Sequence, residues 1–502
     1  MRTHHFVVNR ITPRSRPCVT AFARQYIQYG FSRGNGFARP ALKVYAAATD
    51  DRSEYRFHIN QWAPFQEFLR LHRLDEALIE LIHDPLHEAL PVELPVLPQW
   101  VPRESQPLAI EYLVKPPPPH SKFVDMQTGK GKSFCAMQGM STVGFRTVGV
   151  MKPQFLAKWI EDMGRTYDLP LDQYVVIRGS DQLIALLHLA MSGELTQRVI
   201  LISNKTMQNY IKLYEEHGAA IVDMGYPCMP DEMWAILQAG IRLIDEVHMD
   251  YHLNFKLDLY TNIYLSFSLS ATLLSKDAFQ MRMYELGYPM VQRYKGPAYD
   301  KYARTRAVLY AFKEPDKIKC RERGSTMYSH NVFEDSILKS PKMTGNFFEF
   351  ANTILKREYL EEGFYKKGDR AIIYCSSIDM CTALSDYLKK LYPDKVVNRY
   401  VGLDPREHLM ESEIVVTTLG SAGTGHDIPD LTTVILLVAI RASAGNLQGF
   451  GRLRKLKDGR TPRFAYGVNE DNLKHVEYHE DKRELLESRS VSYKLEYYDL
   501  LI

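Results

Sequence analysis

From about residue 100 onward, short apolar runs alternate with longer stretches of helical spacing. The runs fall at 122–125, 147–151, 173–177, 199–202, 241–244 and 263–268, and again at 371–374, 395–400, 413–417 and 433–438. Each has the length of a buried strand. Strands that alternate with helices argue for parallel sheets sandwiched by helices. The spacing therefore predicts an α/β protein with two such lobes, 96–295 and 296–502. Upstream, 41–46 and 55–59 read as strands around the turn Asp50-Asp51-Arg52. Residues 65–82 have helical spacing through Phe68, Leu69, Leu71, Leu74, Leu78, Ile79 and Ile82. Residues 1–95 are thus expected to form a small α+β domain. Pro91, Pro95, Pro98 and Pro102 mark a linker behind it, and the four prolines at 116–119 a stiff spacer.

The chain has 502 residues, 45% hydrophobic and 25% charged, ordinary values for a globular protein. Its apolar runs are too short to cross a bilayer, so no membrane partner is expected. The six cysteines show no C-x-x-C spacing, which reads as free thiols in a reducing, cytoplasmic setting. Net charge is only +3, yet residues 1–49 hold Arg2, Arg10, Arg14, Arg16, Arg24, Arg33, Arg39 and Lys43 with no Asp or Glu. Aromatic residues are interleaved with these cations. A polyanion-binding surface is the functional reading and a solvated basic face the bland one. An organelle leader ranks lower, because strands continue directly from this stretch into a folded unit.

Residues 126–133 read Met126-Gln127-Thr128-Gly129-Lys130-Gly131-Lys132-Ser133 and follow a strand. A glycine-rich turn ending in Gly-Lys-Ser wraps backbone N–H groups around phosphate oxygens, aims Lys132 at the β/γ-phosphates and gives Mg²⁺ a hydroxyl from Ser133. Met126 stands where the full pattern has its first glycine, so the reading leans on companions. Asp245-Glu246-Val247-His248 closes a later strand, where ligands bind in open parallel sheets. One carboxylate can order Mg²⁺ and the other can handle a water.

With its ordered companions, the chain resembles the second helicase superfamily, in its DExH-type branch, over about residues 100 to 460. Arg103 and Gln106 stand where that family reads adenine, and an amide can donate to and accept from a base edge. Pro153, in Met151-Lys152-Pro153-Gln154-Phe155-Leu156-Ala157-Lys158-Trp159, and Ser203-Asn204-Lys205-Thr206 resemble the family's first strand-contacting motifs. Lys205 and Thr206 would hold backbone phosphates; both segments also suit helix N-termini. Asp245-Glu246-Val247-His248 resembles the D-E-x-H box, with Asp245 on Mg²⁺ and Glu246 polarising the attacking water. Ser270-Ala271-Thr272 resembles the S-A-T motif, so His248, Ser270 and Thr272 would couple hydrolysis to motion. In the second lobe, Ser376 follows a strand as in the family's opening motif there. Thr417-Thr418 and Gly423-Thr424-Gly425-His426-Asp427-Ile428-Pro429 resemble its T…G-x-D-x-P stretch. Gln448-Gly449-Phe450-Gly451-Arg452-Leu453-Arg454-Lys455 resembles Q-x-x-G-R-x-x-R. There Arg452 would be the arginine finger, with Arg454 or Lys455 beside it. Gly425, Asp427 and Gln448, together with Thr128, Gly129, Lys130, Gly131, Lys132 and Ser133, would line the nucleotide.

The resemblance implies two tandem RecA-like lobes that take ATP and Mg²⁺ and act on a nucleic acid. Its tail, from Asn472-Leu473-Lys474-His475 through a helix to about Arg489, is similar to the ending of phage recombination helicases of the UvsW kind. That implies unwinding and branch migration of forked, branched or single-stranded DNA in recombination, repair or replication; the oligomeric state is open, with a monomer favoured. RNA helicase activity and a non-catalytic binding platform are the alternatives, with RNA as the other partner.

Overall fold

The structure is a computed structural model. It describes the whole chain except residues 35–36, 50–51, 75–78, 128, 272, 274, 276, 298–299, 325–326, 423–427 and 442, and the side chains of 31–34, 37–41, 443, 444 and 448. Of the residues singled out above, Leu78, Thr128, Thr272 and Gly423 to Asp427 lie outside this set, as do the side chains of Arg33, Arg39 and Gln448 and the turn at Asp50-Asp51. The chain divides into two units, Met1–Pro297 and Ala298–Ile502.

The first unit opens with β1 (His5–Val8), β2 (Ile27–Gly34), β3 (Phe37–Val44), β4 (Ala47–Ala48) and β5 (Tyr55–His58). β1, β5 and β4 form one small sheet, and β2 and β3 pair with each other as an antiparallel ribbon, with no other strand among the described residues. Rings of Phe6, Phe22, Phe57 and Phe65 pack this module. Its core is continuous with that of the α/β lobe behind it, through Tyr45 against Phe255 and Tyr251. Ion pairs from Arg2 and Arg56 to Asp231 and from Arg242 to Asp258 lie along the same seam.

The helix expected over 65–82 is shorter: it runs Trp62–Leu71. Arg73 adopts φ 55°, and the Leu74 N–H reaches back to the Leu69 carbonyl at 3.0 Å. A left-handed residue followed by such a bond closes a helix. Arginine gives no glycine-like warning of this turn. The proline-rich stretch is strapped down: Leu90, Val92 and Leu97 donate backbone hydrogen bonds to Gln238, Gly144 and Thr166.

Behind the module stand β6 (Ser121–Asp125), β7 (Thr147–Met151), β8 (Tyr174–Ile177), β9 (Val199–Ser203), β10 (Ile241–Asp245), β11 (Leu265–Ser270) and β12 (Arg293–Lys295). They form one parallel sheet in the order β12-β6-β11-β10-β7-β9-β8. Successive residues feed opposite cores. Val148, Ile200 and Ile244 face the module's side, while Val199, Ile241 and Leu243 face the other. A sheet covered on both faces needs such continuous apolar runs.

The second unit repeats the plan with β13 (Ala303–Tyr310), β14 (Arg370–Cys375), β15 (Val397–Tyr400), β16 (Ile414–Thr418), β17 (Leu431–Leu436), β18 (Arg463–Asn469) and β19 (Ser490–Tyr497). The order is β15-β16-β14-β17-β18-β13-β19, again parallel. The tail helix Leu473–Glu487 starts at Asn472, whose side chain accepts from the Lys474 N–H at 2.9 Å. The tail belongs to the lobe, because β19 pairs along β13. The fold is α/β with two RecA-like parallel-sheet lobes and a small antiparallel sheet at the N-terminal end. All six cysteines are free thiols, and no helix among the described residues is long and apolar enough to cross a membrane.

Candidate active site

β6 delivers the chain into a turn that bends on two left-handed glycines, Gly129 at φ 85° and Gly131 at φ 81°. The helix Lys132–Val143 starts directly behind them, with Gly131 at its cap. This is the anion-binding arrangement of a helix N-terminus: Lys132 is the first helical residue and Ser133 the second. The buried Lys132 ammonium donates to the Met126 carbonyl at 3.2 Å. Met126 is itself a core residue, which accounts for a large side chain where the full pattern has glycine.

Gln106 is buried against this turn. Its Oε1 accepts from the Arg103 N–H at 2.8 Å, and its Nε2 donates to the Lys130 carbonyl at 2.9 Å. A Cβ on Gly131 would stand 2.3 Å from that Nε2. Gln106 thus clamps the glycine turn, and one N–H and one lone pair are left over from these two bonds. The Arg103 side chain is exposed.

The acidic box ends β10, next to β6's neighbour β11. Asp245 Oδ2 accepts the Trp159 indole N–H at 2.9 Å, and Oδ1 accepts the Glu246 backbone N–H at 2.9 Å. Burial and the adjacent Glu246 raise the Asp245 carboxyl above the usual carboxylate range, while the Trp159 bond, Lys132 and Lys158 pull it down. Glu246 takes a left-handed backbone, φ 49°. A non-glycine residue there is uncommon and tends to mark a functional turn. His248 Nδ1 lies 3.3 Å from Glu246 Oε2 and 2.9 Å from Ser270 Oγ. Burial and then Lys132 lower the His248 imidazole to about 4, so it links these two groups in its neutral form. Ser270 in turn accepts the Met126 N–H on its carbonyl at 3.3 Å, which ties the glycine turn, the acidic box and the end of β11 together.

Pro153 opens the helix Pro153–Thr166 and Asn204 the helix Asn204–His217. Lys205 is exposed, whereas the buried Thr206 turns its hydroxyl to the Gly179 N–H at 2.8 Å. Asp250 joins these segments: its carboxylate meets Lys152 Nζ at 3.2 Å and Asn204 Nδ2 at 2.8 Å. Asp250 also caps the helix Tyr251–Asp258 behind the acidic box. Sequence reading passed over it, since a lone Asp in a left-handed cap leaves no pattern.

In the second unit, Ser376 follows β14. Its hydroxyl donates to Asn331 at 2.5 Å and its N–H to Glu334 Oε1 at 2.7 Å. Glu334 Oε2 takes both the N–H and the hydroxyl of Ser377, each at 2.7 Å. Glu334 shares a helix face with buried His330, Phe333 and Ile337. An acid on an apolar stripe was the signal available for it. Thr417 is buried and donates to the Tyr400 carbonyl at 2.5 Å, while Thr418 pairs with Ser421 at 2.9 Å. Arg452 is buried beside the Tyr374 hydroxyl, behind the helix Ser443–Phe450 that carries Gln448. The Arg454 guanidinium turns back on the carbonyls of Gly451 and Leu453. Lys455 is exposed and pairs with Asp300 at 3.0 Å.

No protein-family model matches the chain, and no curated protein matches it. Solved structures do. Mss116p bound to single-stranded RNA and AMP-PNP is 14% identical over 79% of this chain and 75% of that one, with TM-score 0.47. A variant of S. cerevisiae Dbp5 bound to a Gle1 variant and IP6 is 16% identical over 80% and 90%, with TM-score 0.46. The ATP-dependent Type ISP restriction-modification enzyme LlaBIII bound to DNA is 12% identical over 84% of this chain, with TM-score 0.50. The likeness is one of fold. The chain matches only 32% of the LlaBIII enzyme's length. What is shared is the fold: two RecA-like parallel-sheet lobes, one after the other along the chain.

Proposed function

We propose that the chain is an ATP-dependent motor that moves on DNA and unwinds or branch-migrates forked and joint molecules. The observation that supports this most is the clamp of Gln106, Gly131 and Lys132 beside Asp245 and Glu246, the parts of a triphosphate site in one sheet edge. In this reading the N–H groups at Gly129, Lys130 and Gly131 cradle phosphate and Lys132 neutralises it. By the family resemblance Thr128 would also line the nucleotide, and Gln106 and Arg103 would meet the adenine. Ser133 and Asp245 present a hydroxyl and a carboxylate, the hard oxygen donors that suit Mg²⁺ beside phosphate, which when bound neutralises phosphate charge. Glu246 takes the proton from the attacking water. By the family resemblance, Arg452, with Arg454 or Lys455, would offset charge on the transferring group, and Gly425, Asp427 and Gln448 would line the nucleotide. His248, Ser270 and Thr272 relay the change. Pro153, Lys205, Thr206, Ser376, Thr417 and Thr418 lie along the nucleic-acid backbone, where the buried Thr206 and Thr417 shape loops rather than touch phosphate.

ATP turnover measured with and without DNA or RNA tests the proposal. DNA should stimulate the parent strongly, Lys132→Ala and Glu246→Gln should abolish turnover, and Glu246→Gln should still bind ATP. Stimulation by RNA alone would replace DNA with RNA as the substrate. Stimulation by neither would leave only a binding platform. Normal turnover in Glu246→Gln would remove its assigned role. ATP-driven dissociation of forks, four-way junctions and tailed duplexes, compared side by side, tests the preference for branched DNA.

A further inference from the structure

One edge of the two large sheets is long and unpaired. The other three edge strands, β8, β12 and β15, have four, three and four residues. β19 has eight and pairs with β13 alone among the described residues. A long free edge is a template for another strand, and proteins usually shorten or charge such edges.

The backbone groups of β19 sort by parity. The Tyr498 N–H donates to the Leu309 carbonyl at 2.8 Å, and on the far side of β13 the Arg304 N–H donates to the Pro462 carbonyl at 2.9 Å. In a parallel ladder each strand turns alternate residues to a given neighbour. Even-numbered residues of β19 therefore turn their N–H and C=O to β13, and Val491, Tyr493, Leu495 and Tyr497 turn theirs away from the sheet. The Tyr493 hydroxyl is fixed by that of Tyr466 at 2.7 Å. Val491, Leu495 and Tyr497 are 60%, 41% and 64% exposed. On the opposite face Lys494 is exposed, and Glu496 is held by Arg306 and Arg357 with its side chain still 33% open.

An added antiparallel strand must set outward groups against outward groups, so a second copy of β19 pairs odd residues with odd ones. Centred on Lys494 or on Glu496, the pairing puts that charge directly against itself, which destabilises a strand pair. Centred on Tyr493, it sets Lys494 against Ser492 and matches no charges. Centred on Leu495, it sets Lys494 against Glu496 of the second copy twice over, Tyr493 against Tyr497, and Leu495 against itself. Opposite-charge, aromatic and apolar pairs then fall in one register. The strand is complementary to itself.

We propose that β19 is a self-association edge: two copies of the chain pair antiparallel about Leu495 on a two-fold axis and join their seven-stranded sheets edge to edge. The proposal lies beyond the motor reading and stands whether or not the chain turns over ATP.

Sedimentation of the full chain over a range of concentrations tests it. The parent should pass from monomer to dimer as concentration rises. Leu495→Pro removes an N–H that β13 does not use, a position where an edge strand tolerates proline. It should stay monomeric and melt where the parent melts. A parent that is monomeric up to its solubility limit, or a Leu495→Pro chain that dimerises like the parent, would overturn the proposal. If Leu495→Pro melts early, Lys494→Glu decides, since Lys494 is exposed and its replacement leaves the lobe intact. Like charges then face each other across the strands, and the dimer dissociation constant should rise about tenfold or more. An unchanged constant overturns the proposal. The register has its own readout. With Cys320, the least buried cysteine, changed to Ser, Leu495→Cys brings two cysteines to a Cα separation of about 5.5 Å, within disulfide reach. Oxidised glutathione should cross-link that variant but not Val491→Cys, which lies opposite Asp499 of the second copy. Failure of Leu495→Cys to cross-link where the parent is dimeric would overturn the register.

Discussion

Trp159 donates its indole N–H to Oδ2 of Asp245 at 2.9 Å, so a helix that opens at Pro153 reaches back to orient the acidic box. The ring is buried in the core, and Asp245 is buried as well, with its carboxyl already pushed upward. Removing the donor while keeping an aromatic ring should loosen the carboxylate and raise its pKa further. Trp159→Phe should therefore lower ATP turnover by roughly 10- to 100-fold, the value of one hydrogen bond to a charged group. It should also shift the Mg²⁺ concentration needed for half-maximal turnover upward. An unshifted Mg²⁺ requirement would show that Trp159 only fills space.

Gly131 and Gln106 give a second prediction. Gly131→Ala puts a Cβ into the Gln106 amide and keeps a left-handed backbone that costs alanine about 1–2 kcal/mol. Gln106 cannot swing aside without breaking its bonds to Arg103 and Lys130. The variant should lose ATP binding and melt earlier. Adding Gln106→Ala relieves the clash but leaves the backbone strain, so the double variant should recover part of the melting midpoint without recovering full nucleotide affinity. Binding of a fluorescent ATP analogue with thermal melting reads both; full ATP affinity in the single variant would disprove the clamp.

What the sequence disclosed follows from burial. The central strands sit between two helical layers and must be apolar on both faces, so 147–151 and 199–202 stood out as runs. β13 stayed hidden because Arg304 and Arg306 interrupt it, and β18 because it opens on Arg463 and carries Gly467; the fold neutralises the charges of Arg306 and Arg463. Arg306 pairs with Glu358 and Glu496, and Arg463 with Glu361. β19 lies at a sheet edge, where polar alternation hides a strand among loops. Helix ends closed by Arg73 carry no glycine to mark them. At the site, the Gly-Lys-Ser turn and the adjacent carboxylates were legible because their chemistry demands fixed residue types. Asp250 acts through Lys152 and Asn204, both distant in the chain, which no local pattern encodes.

The two units should respond differently to acid. In the first, burial holds His4 well below its ordinary value, His5 at about 3, and His248 and His252 at about 4. These imidazoles are neutral when folded and take up a proton on unfolding below the ordinary value near 6.5. Their contribution is therefore present above about 6.5 and is lost as pH falls towards the folded values, each tilting stability by about 1.4 kcal/mol per pH unit. The second unit has His330, lowered to about 3, and His475, but also a group of opposite sign in Glu334. All four tryptophans, Trp62, Trp100, Trp159 and Trp234, belong to the first unit, so their fluorescence reports it alone. Urea midpoints by tryptophan fluorescence should fall steeply as pH drops from about 7.5 to 5. A flat profile would mean that the imidazoles are already protonated in the folded chain.

Glu334 carries the last prediction. Burial raises its carboxyl to about 7 against the pull of three hydrogen bonds from Ser376 and Ser377. A carboxyl raised on folding adds stability that is complete below its unfolded value near 4.3 and is lost as pH rises through about 7. Glu334→Ala removes the acceptor of two backbone N–H groups and one hydroxyl. Each orphaned donor costs about 1–3 kcal/mol, so the second unit should be destabilised by roughly 3 kcal/mol. Glu334→Gln keeps the volume and one good acceptor, so it should cost less and flatten the stability profile between pH about 4.3 and 7. Both should weaken nucleic-acid binding at Ser376, because the loop after β14 is held in place by this carboxylate. Hydrogen exchange at the Ser376 and Ser377 amides separates that loss of order from a general loss of stability. Protection of those two amides in Glu334→Ala equal to the rest of the lobe would show that the loop holds its own shape and that Glu334 merely fills the core.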